Sequence, residues 1–391
     1  MLPAKQRERP SKTAALYLHI PFCAKRCNYC DFYTVAEQEK HIPAYLDALV
    51  QEIEIYGKSE LWVEQSFSTI YFGGGTPSLL APDQVERILS TLRNNFHFTQ
   101  NPEITFEVNP GTTAEKKLQD YADTGINRLS IGVQSFRADE LKKLDRLHSV
   151  EEAENTVARA RKAGIQNLSI DLMFALSGQK PSNWRYSLER AIAMKPEHIS
   201  AYNLTIENGT PLHQAVKAGI VKPVSELRQR IFYSHTIEYL ERHGYKHYEV
   251  SNYALPNFES RHNSKYWDGS LYLGLGASAH SFDGDRRFWN VKSFSQYIKN
   301  LQDGDLPIIG EENLSPTEKQ FEMILLGLRQ SRGVSIDDFE NRFAIDFREK
   351  FQPQLKKLLS QKPPLAKLTN GSLTLTREGW LLCDAVCAEF A

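Results

Sequence analysis

Short runs of β-branched and aromatic residues alternate with amphipathic stretches from residue 15 to about residue 255. The runs are ALYLHI, STIYF, ITFEV, RLSIGV, NLSIDL and HISAYNL, with KHYEV as a further candidate. Between them, Ile42, Leu46, Leu49, Val50 and Ile53 fall on one helical face, and Val85, Ile88, Leu89 and Leu92 repeat that spacing. Strands alternating with helices in this way predict repeated βα units around parallel strands. A weak internal echo supports this: TGINRLSIGV (124–133) and AGIQNLSIDL (163–172) each follow a helical stretch. They place Gly125 and Gly164 where a helix ends, a position at which any helix-to-strand turn favours glycine.

The texture changes near residue 310. Helical stretches are predicted over 316–329 and 346–360, followed by LAKLTNGSLTLT and a last helix from Arg377. Asn370-Gly371 between two alternating runs predicts a type I′ hairpin. The expected organisation is α/β: a flexible tail at 1–14, a barrel at 15–255, a motif-bearing segment and linker at 256–310, and a small helical, winged-helix-like domain at 311–391.

A length of 391 residues suits one large α/β barrel with an appendage. With 41% hydrophobic and 24% charged residues, the chain reads as globular. A formal net charge of -1, with acidic and basic residues mixed through the tail, predicts no nucleic-acid partner. Packing or partner docking is then the expected role of the tail. No run of about 18 apolar residues appears, and MLPAKQRERPSKTA lacks the apolar core of a signal peptide. The expectation is a cytoplasmic protein with at most transient membrane association. Five cysteines, three of them within eight residues, suit reduced thiolates serving a metal better than a disulfide framework. Cys383 and Cys387, spaced i, i+4 on the last helix, are expected to pack in the core.

The candidate chemistry begins with ALYLHIPFCAKRCNYCDF, which puts Cys23, Cys27 and Cys30 in a C-x3-C-x2-C loop just past the first strand, where barrels build their sites. Three thiolates can cap three irons of a cubane cluster and leave the fourth iron an open position. Structural zinc would want four protein ligands, and no paired Cys/His set lies nearby. After the second strand, YFGGGTPS supplies Gly73, Gly74 and Gly75, which let a backbone approach a ligand with no Cβ in the way. Glu107 in FEVNPG is an acid within a β run, an expensive position unless it meets a donor.

On these residues the chain resembles the radical S-adenosylmethionine (SAM) superfamily and, within it, the oxygen-independent coproporphyrinogen dehydrogenase (HemN) group, over nearly its whole length. The resemblance implies a radical SAM partial (β/α)6 TIM-like barrel in which Cys23, Cys27 and Cys30 hold a [4Fe-4S] cluster. The open iron would take the amino and carboxylate groups of SAM, which an electron from the cluster cleaves. Gly74, Gly75 and Thr76 match the family's motif for the SAM amino group. Glu107, Gln134, Arg146 and Asp171 match its polar contacts to SAM, and Tyr17 matches a position near the cluster. A guanidinium suits a carboxylate and an Asp suits ribose hydroxyls. No residue is assigned a catalytic role.

Two departures separate the chain from the decarboxylating dehydrogenase. That enzyme has a further cysteine two residues after the third, where this chain reads Cys30-Asp31-Phe32, and a long N-terminal extension, where only sixteen residues precede Tyr17. RHNSKYW (261–267) instead resembles the H-N-x-x-Y-W motif of the heme chaperones of the group, carried by His262, Asn263, Tyr266 and Trp267. YEVSNYA and YLGLGASAHSF match the same family. The likeness implies a third cofactor, heme, with His262 as its candidate ligand and Tyr266 as the alternative, and the two share one face if the segment is helical. Trp267 would pack on the porphyrin plane, and His280 is a candidate for the same cavity. The implied activity is heme binding and transfer to acceptor hemoproteins, respiratory ones among them. Two alternatives stand beside it: coproporphyrinogen III decarboxylation, and a radical SAM activity on RNA suggested only by the winged-helix-like tail. No C-x-x-C-H appears, so c-type heme attachment is not indicated.

Overall fold

The computed structural model describes residues 13–391, so the tail expected at 1–14 lies, except for its last two residues, outside the described residues. Six strands run parallel in chain order: β1 (Ala14–Ile20), β2 (Ser66–Gly74), β3 (His97–Val108), β4 (Arg128–Gln134), β5 (Asn167–Phe174) and β6 (His198–Asn203). Helices α1 (Ile42–Tyr56), α2 (Pro82–Asn95), α3 (Glu115–Asp123), α4 (Val150–Lys162) and α5 (Pro181–Ala193) lie between successive strands. The predicted helical face of α2 is buried at Val85, Ile88, Leu89 and Leu92, and each such side chain contributes roughly 1.5–3 kcal/mol of transfer free energy. Gly125 and Gly164 take φ of 107° and 85° just past α3 and α4, conformations that an L side chain resists. These are the βα units the pattern predicts, in the partial (β/α)6 barrel that the resemblance implies.

The sheet does not stop at six strands. Beyond β6, helix α6 (Glu226–Arg242) leads into β7 (Lys246–Glu249) and β8 (Asn252–Ala254), which pair antiparallel. KHYEV is therefore half of an edge hairpin and not another parallel strand. On the other edge, after α7 (Arg261–Trp267), β9 (Tyr272–Leu275) pairs parallel with β1. Next, β10 (His280–Phe282), β11 (Arg286–Asn290) and, after α8 (Phe294–Gln302), β12 (Ile308–Asn313) continue antiparallel. The twelve-stranded order is β12-β11-β10-β9-β1-β2-β3-β4-β5-β6-β8-β7. Residues expected as motif and linker are thus woven into the sheet. A buried carboxylate clamps them to α1: Glu52 accepts from Gly276 N (2.8 Å), Asn290 Nδ2 (2.6 Å) and Tyr297 OH (2.6 Å). These donors partly offset the burial that pushes Glu52 up to about 7.

Helix α9 (Pro316–Leu328) opens the C-terminal region, where β13 (Val334–Ser335), β14 (Ala366–Thr369) and β15 (Ser372–Leu375) form a three-stranded sheet in the order β13-β15-β14. Asn370 and Gly371 take φ of 50° and 76°, both left-handed as a type I′ turn requires. Cys383 and Cys387 are buried in the core.

Candidate site at the barrel mouth

The exits of β1 and β2 are stitched together. Gly75 N donates to Ile20 O (2.8 Å) and Thr76 N to Phe22 O (2.8 Å). A Cβ on Gly75 would stand 2.8 Å from the Pro21 carbonyl, so the glycine run is needed for this approach as well as for any ligand. The cysteine loop that follows is held against the segment after β4. Asn28 Nδ2 donates to Lys143 O (2.9 Å), Leu212 N donates to Asn28 O (2.9 Å), and Lys25 pairs with Asp145 (2.5 Å). Cys23 is buried, and Cys27 and Cys30 are half-buried.

A chain of hydrogen bonds links two of these sulfurs. Thr76 Oγ1 donates to Cys23 Sγ (3.3 Å), and Asn109 Nδ2 donates to Thr76 Oγ1 (2.8 Å). Arg146 Nη2 donates to Asn109 Oδ1 (2.6 Å) and to Gly132 O (2.8 Å), while its Nη1 points at Cys27 Sγ (3.7 Å). Thr76 and Arg146 were expected here. Asn109 was not singled out, although it stands in the FEVNPG run, two residues after Glu107. Burial pushes Cys23 up to about 11 and raises Cys30, so bound metal must displace their protons. Three thiols in one loop, with donors aimed at two of them, suit a cluster. The buried Arg146 Nε and Asn28 Oδ1 beside them have no hydrogen-bond partner, as expected where a polar group belongs.

Behind the mouth, Glu107 meets the donors its position demands. Tyr71 OH donates to Oε1 (2.8 Å) and Gly74 N to Oε2 (3.2 Å), while burial and then nearby Asp171 push Glu107 up to about 7. Asp171 accepts from Ser130 Oγ (2.8 Å) and Ser169 Oγ (3.0 Å), and burial raises it too. Gln134 adopts φ 65° at the end of β4, a left-handed conformation rare for its type and characteristic of sites. Tyr17 OH lies 3.0 Å from His19 Nδ1, and His19 Nε2 lies 2.8 Å from Tyr33 O. A carbonyl only accepts, so Nε2 carries the proton and Nδ1 accepts from Tyr17. Burial drives His19 down to about 4, and it is neutral.

The H-N-x-x-Y-W segment lies deeper. It is helical as supposed, and His262 and Tyr266 share a face, but they bond to one another. His262 Nε2 is 2.9 Å from Tyr266 OH and Nδ1 is 2.9 Å from Thr69 Oγ1 on β2. His262 is 1% exposed, and burial, then the Arg128 charge, drive it down to about 3. Both ring nitrogens are thus occupied inside an aromatic lumen that includes Tyr71, whose ring centroid lies 4.9 Å away. Glu103 fixes the start of α7 by accepting from Arg261 N (3.1 Å) and His262 N (3.0 Å). Asn263 N donates to the Ser260 hydroxyl, and Trp267 O accepts from Gln330 Nε2 (2.9 Å). His280 is exposed and stacks on Trp289 (5.6 Å), and its charge contributes to lowering His19. Thr69, Glu103 and the buried Arg128 also went unmarked in the sequence, because single polar residues inside strands carry no spacing signal.

A parallel barrel with this cysteine loop at the carboxyl ends of its strands defines a radical SAM protein. Residues 17–191 match the Radical SAM superfamily and residues 314–382 the HemN C-terminal domain. The heme chaperone HemW of Lactococcus lactis is 36% identical over 97% of this chain and 97% of its own length. That of Bacillus subtilis is 33% identical over 96% and 98%. Among solved structures, the coproporphyrinogen III oxidase HemN from Escherichia coli superposes with a TM-score of 0.84 at 26% identity, covering 98% of this chain and 91% of that one. The chain belongs to the HemW family of the radical SAM superfamily. Membership brings a [4Fe-4S] cluster and SAM as cofactors.

Proposed function

We infer that the chain is a heme chaperone that binds heme and passes it to acceptor hemoproteins in the cytoplasm. The observation that carries this is likeness to proteins named heme chaperones along nearly the whole chain, 36% identity over 97% of it. Support comes from the cluster loop. The dehydrogenase's further cysteine is replaced by Phe32, whose side chain is 67% exposed and offers no ligand.

In this reading Cys23, Cys27 and Cys30 hold the cluster, and the bound cluster and SAM supply one-electron chemistry. Thr76 and Arg146 donate to the sulfurs, and hydrogen bonds to thiolates tune a cluster's potential. Arg146 would also offer its charge to the SAM carboxylate, and Gly74 and Gly75 would line the side of its amino group. Glu107 holds Gly74 N and Tyr71 in place, and Gln134 and Asp171 would serve as polar contacts to the rest of SAM. Tyr17 orders the neutral His19 at the cluster's edge. Heme ligation by His262 or Tyr266 would require their mutual hydrogen bond to open.

The test is anaerobic reconstitution followed by titration with hemin, then incubation with an apo-hemoprotein. Stoichiometric binding and transfer are expected. Conversion of coproporphyrinogen III to protoporphyrinogen with consumption of SAM, and no saturable hemin binding, overturns the chaperone reading.

A further inference from the structure

Beside the cluster loop lies a cavity of about 470 Å3 that the mouth chemistry does not use. That volume falls within the roughly 300–1,000 Å3 of small-molecule pockets. Its walls are apolar, built from Leu144, Leu176, Leu204, Leu212, Ala215 and Ile220. Leu144 and Leu176 are buried, whereas Ile220 on the rim is 79% exposed. Asn28 joins this wall to the cysteine loop, since it lies between Cys27 and Cys30 and bonds to both Lys143 and Leu212.

The rim carries a cation. Lys143 lines the cavity, is exposed, and its Nζ donates to Ser177 O (3.1 Å), which holds the ammonium at one border. Among the described lining residues there is no Cys, His, Met or Tyr, so the cavity lacks the usual heme-iron ligands. A ligand matching these walls is broad and apolar, with carboxylates at one edge and no need of a metal ligand.

We propose that this cavity receives a porphyrin by its ring and carboxylates rather than by its iron, next to the cluster loop. The proposal rests on the heme-chaperone reading and gives its heme a place other than the closed His262–Tyr266 pair. It follows that iron contributes little to binding here.

The test uses the full chain with its cluster reconstituted, titrated with hemin by absorbance and with metal-free protoporphyrin IX by fluorescence. Both are expected to saturate one site, to compete one for one, and to differ less than about threefold in affinity, about 0.65 kcal/mol. Ala215→Phe fills the cavity from a partly exposed helix and should weaken both about tenfold with the cluster spectrum and circular dichroism unchanged. Lys143→Glu should weaken both at low salt, and the gap from wild type should narrow as added salt screens the exposed charge. Hemin bound with unchanged affinity by Ala215→Phe, or hemin bound while metal-free porphyrin is not, overturns the cavity and leaves the chaperone reading standing. Wild-type chain that binds neither overturns both.

Discussion

The barrel mouth and the barrel lumen are both dense in motif residues, yet they treat their polar atoms in opposite ways. At the mouth, donors converge on sulfurs that have room for more ligands: Thr76 on Cys23 and Arg146 on Cys27. In the lumen, His262 has both nitrogens taken, by Thr69 and Tyr266, and is 1% exposed. Open valences suit chemistry with a guest. Closed ones suit a fixed shape, because a satisfied buried network is costly to break. The difference teaches that motif membership alone does not say whether a residue touches a ligand.

The largest effect should come from removing a sulfur. Cys27→Ser leaves two thiolates where a cubane needs at least three, so the cluster's visible absorbance should vanish while the circular dichroism stays native. A variant that still reconstitutes a full cluster would show that the mouth draws a ligand from elsewhere.

His262→Ala tests the lumen. It opens a cavity and leaves the hydroxyls of Thr69 and Tyr266 short of a partner, so the folded state should lose about 2–4 kcal/mol. Hemin affinity should change less than about threefold, equivalent to about 0.65 kcal/mol. Denaturant unfolding and hemin titration on the same preparation check both. A stable variant that no longer binds hemin would mean the lumen opens in solution.

The pH response sharpens the same contrast. His262 sits at about 3 when folded against 6.5 when unfolded. Between those values the unfolded chain takes up a proton that the folded chain refuses, so acidification from pH 6.5 to 4 removes up to about 3 kcal/mol through this one group. Glu107, at about 7 against 4.5, has the opposite sign, and its contribution to stability is lost as pH rises from 4.5 to 7. His262→Gln removes the first dependence and keeps the second. The stability gap between wild type and this variant should therefore narrow as pH falls toward 4. A constant gap would place His262 in contact with water.

The mouth was legible in the sequence because its chemistry is concentrated in short loops at strand ends: Cys23 to Cys30, Gly73 to Thr76, and Gln134 with Arg146. The six parallel strands were legible because long apolar runs alternate with helices. The edge strands β9 to β12 were not, since segments of three to six residues such as His280–Phe282 carry too little periodicity to register. Asn109 escaped notice for a different reason. Its role depends on Thr76 and Arg146, which lie 33 and 37 residues away and meet it only through the parallel register. Replacing it breaks the chain between the two sulfurs. Asn109→Ala should speed loss of the cluster to a chelator about tenfold, as outer-shell substitutions do. Unchanged kinetics would reduce the hydrogen-bonded chain to packing.

The smallest effect lies in the C-terminal hairpin, which touches neither region directly. Asn370 holds φ 50° beside Gly371 at 76°. Asn370→Ala should lose about 1 kcal/mol, because an ordinary side chain resists the left-handed region, and Asn370→Gly should recover it. This domain is braced against the lumen side of the barrel: Gln330 Nε2 donates to Trp267 O at the end of α7, and Val250 N donates to Arg329 O. Loosening the hairpin should therefore reach the lumen before the mouth. In Asn370→Ala the cluster spectrum and chelator kinetics should match wild type, and any change should appear first in amide exchange around α7. Faster cluster loss with α7 unaffected would place the domain's contact at the mouth instead.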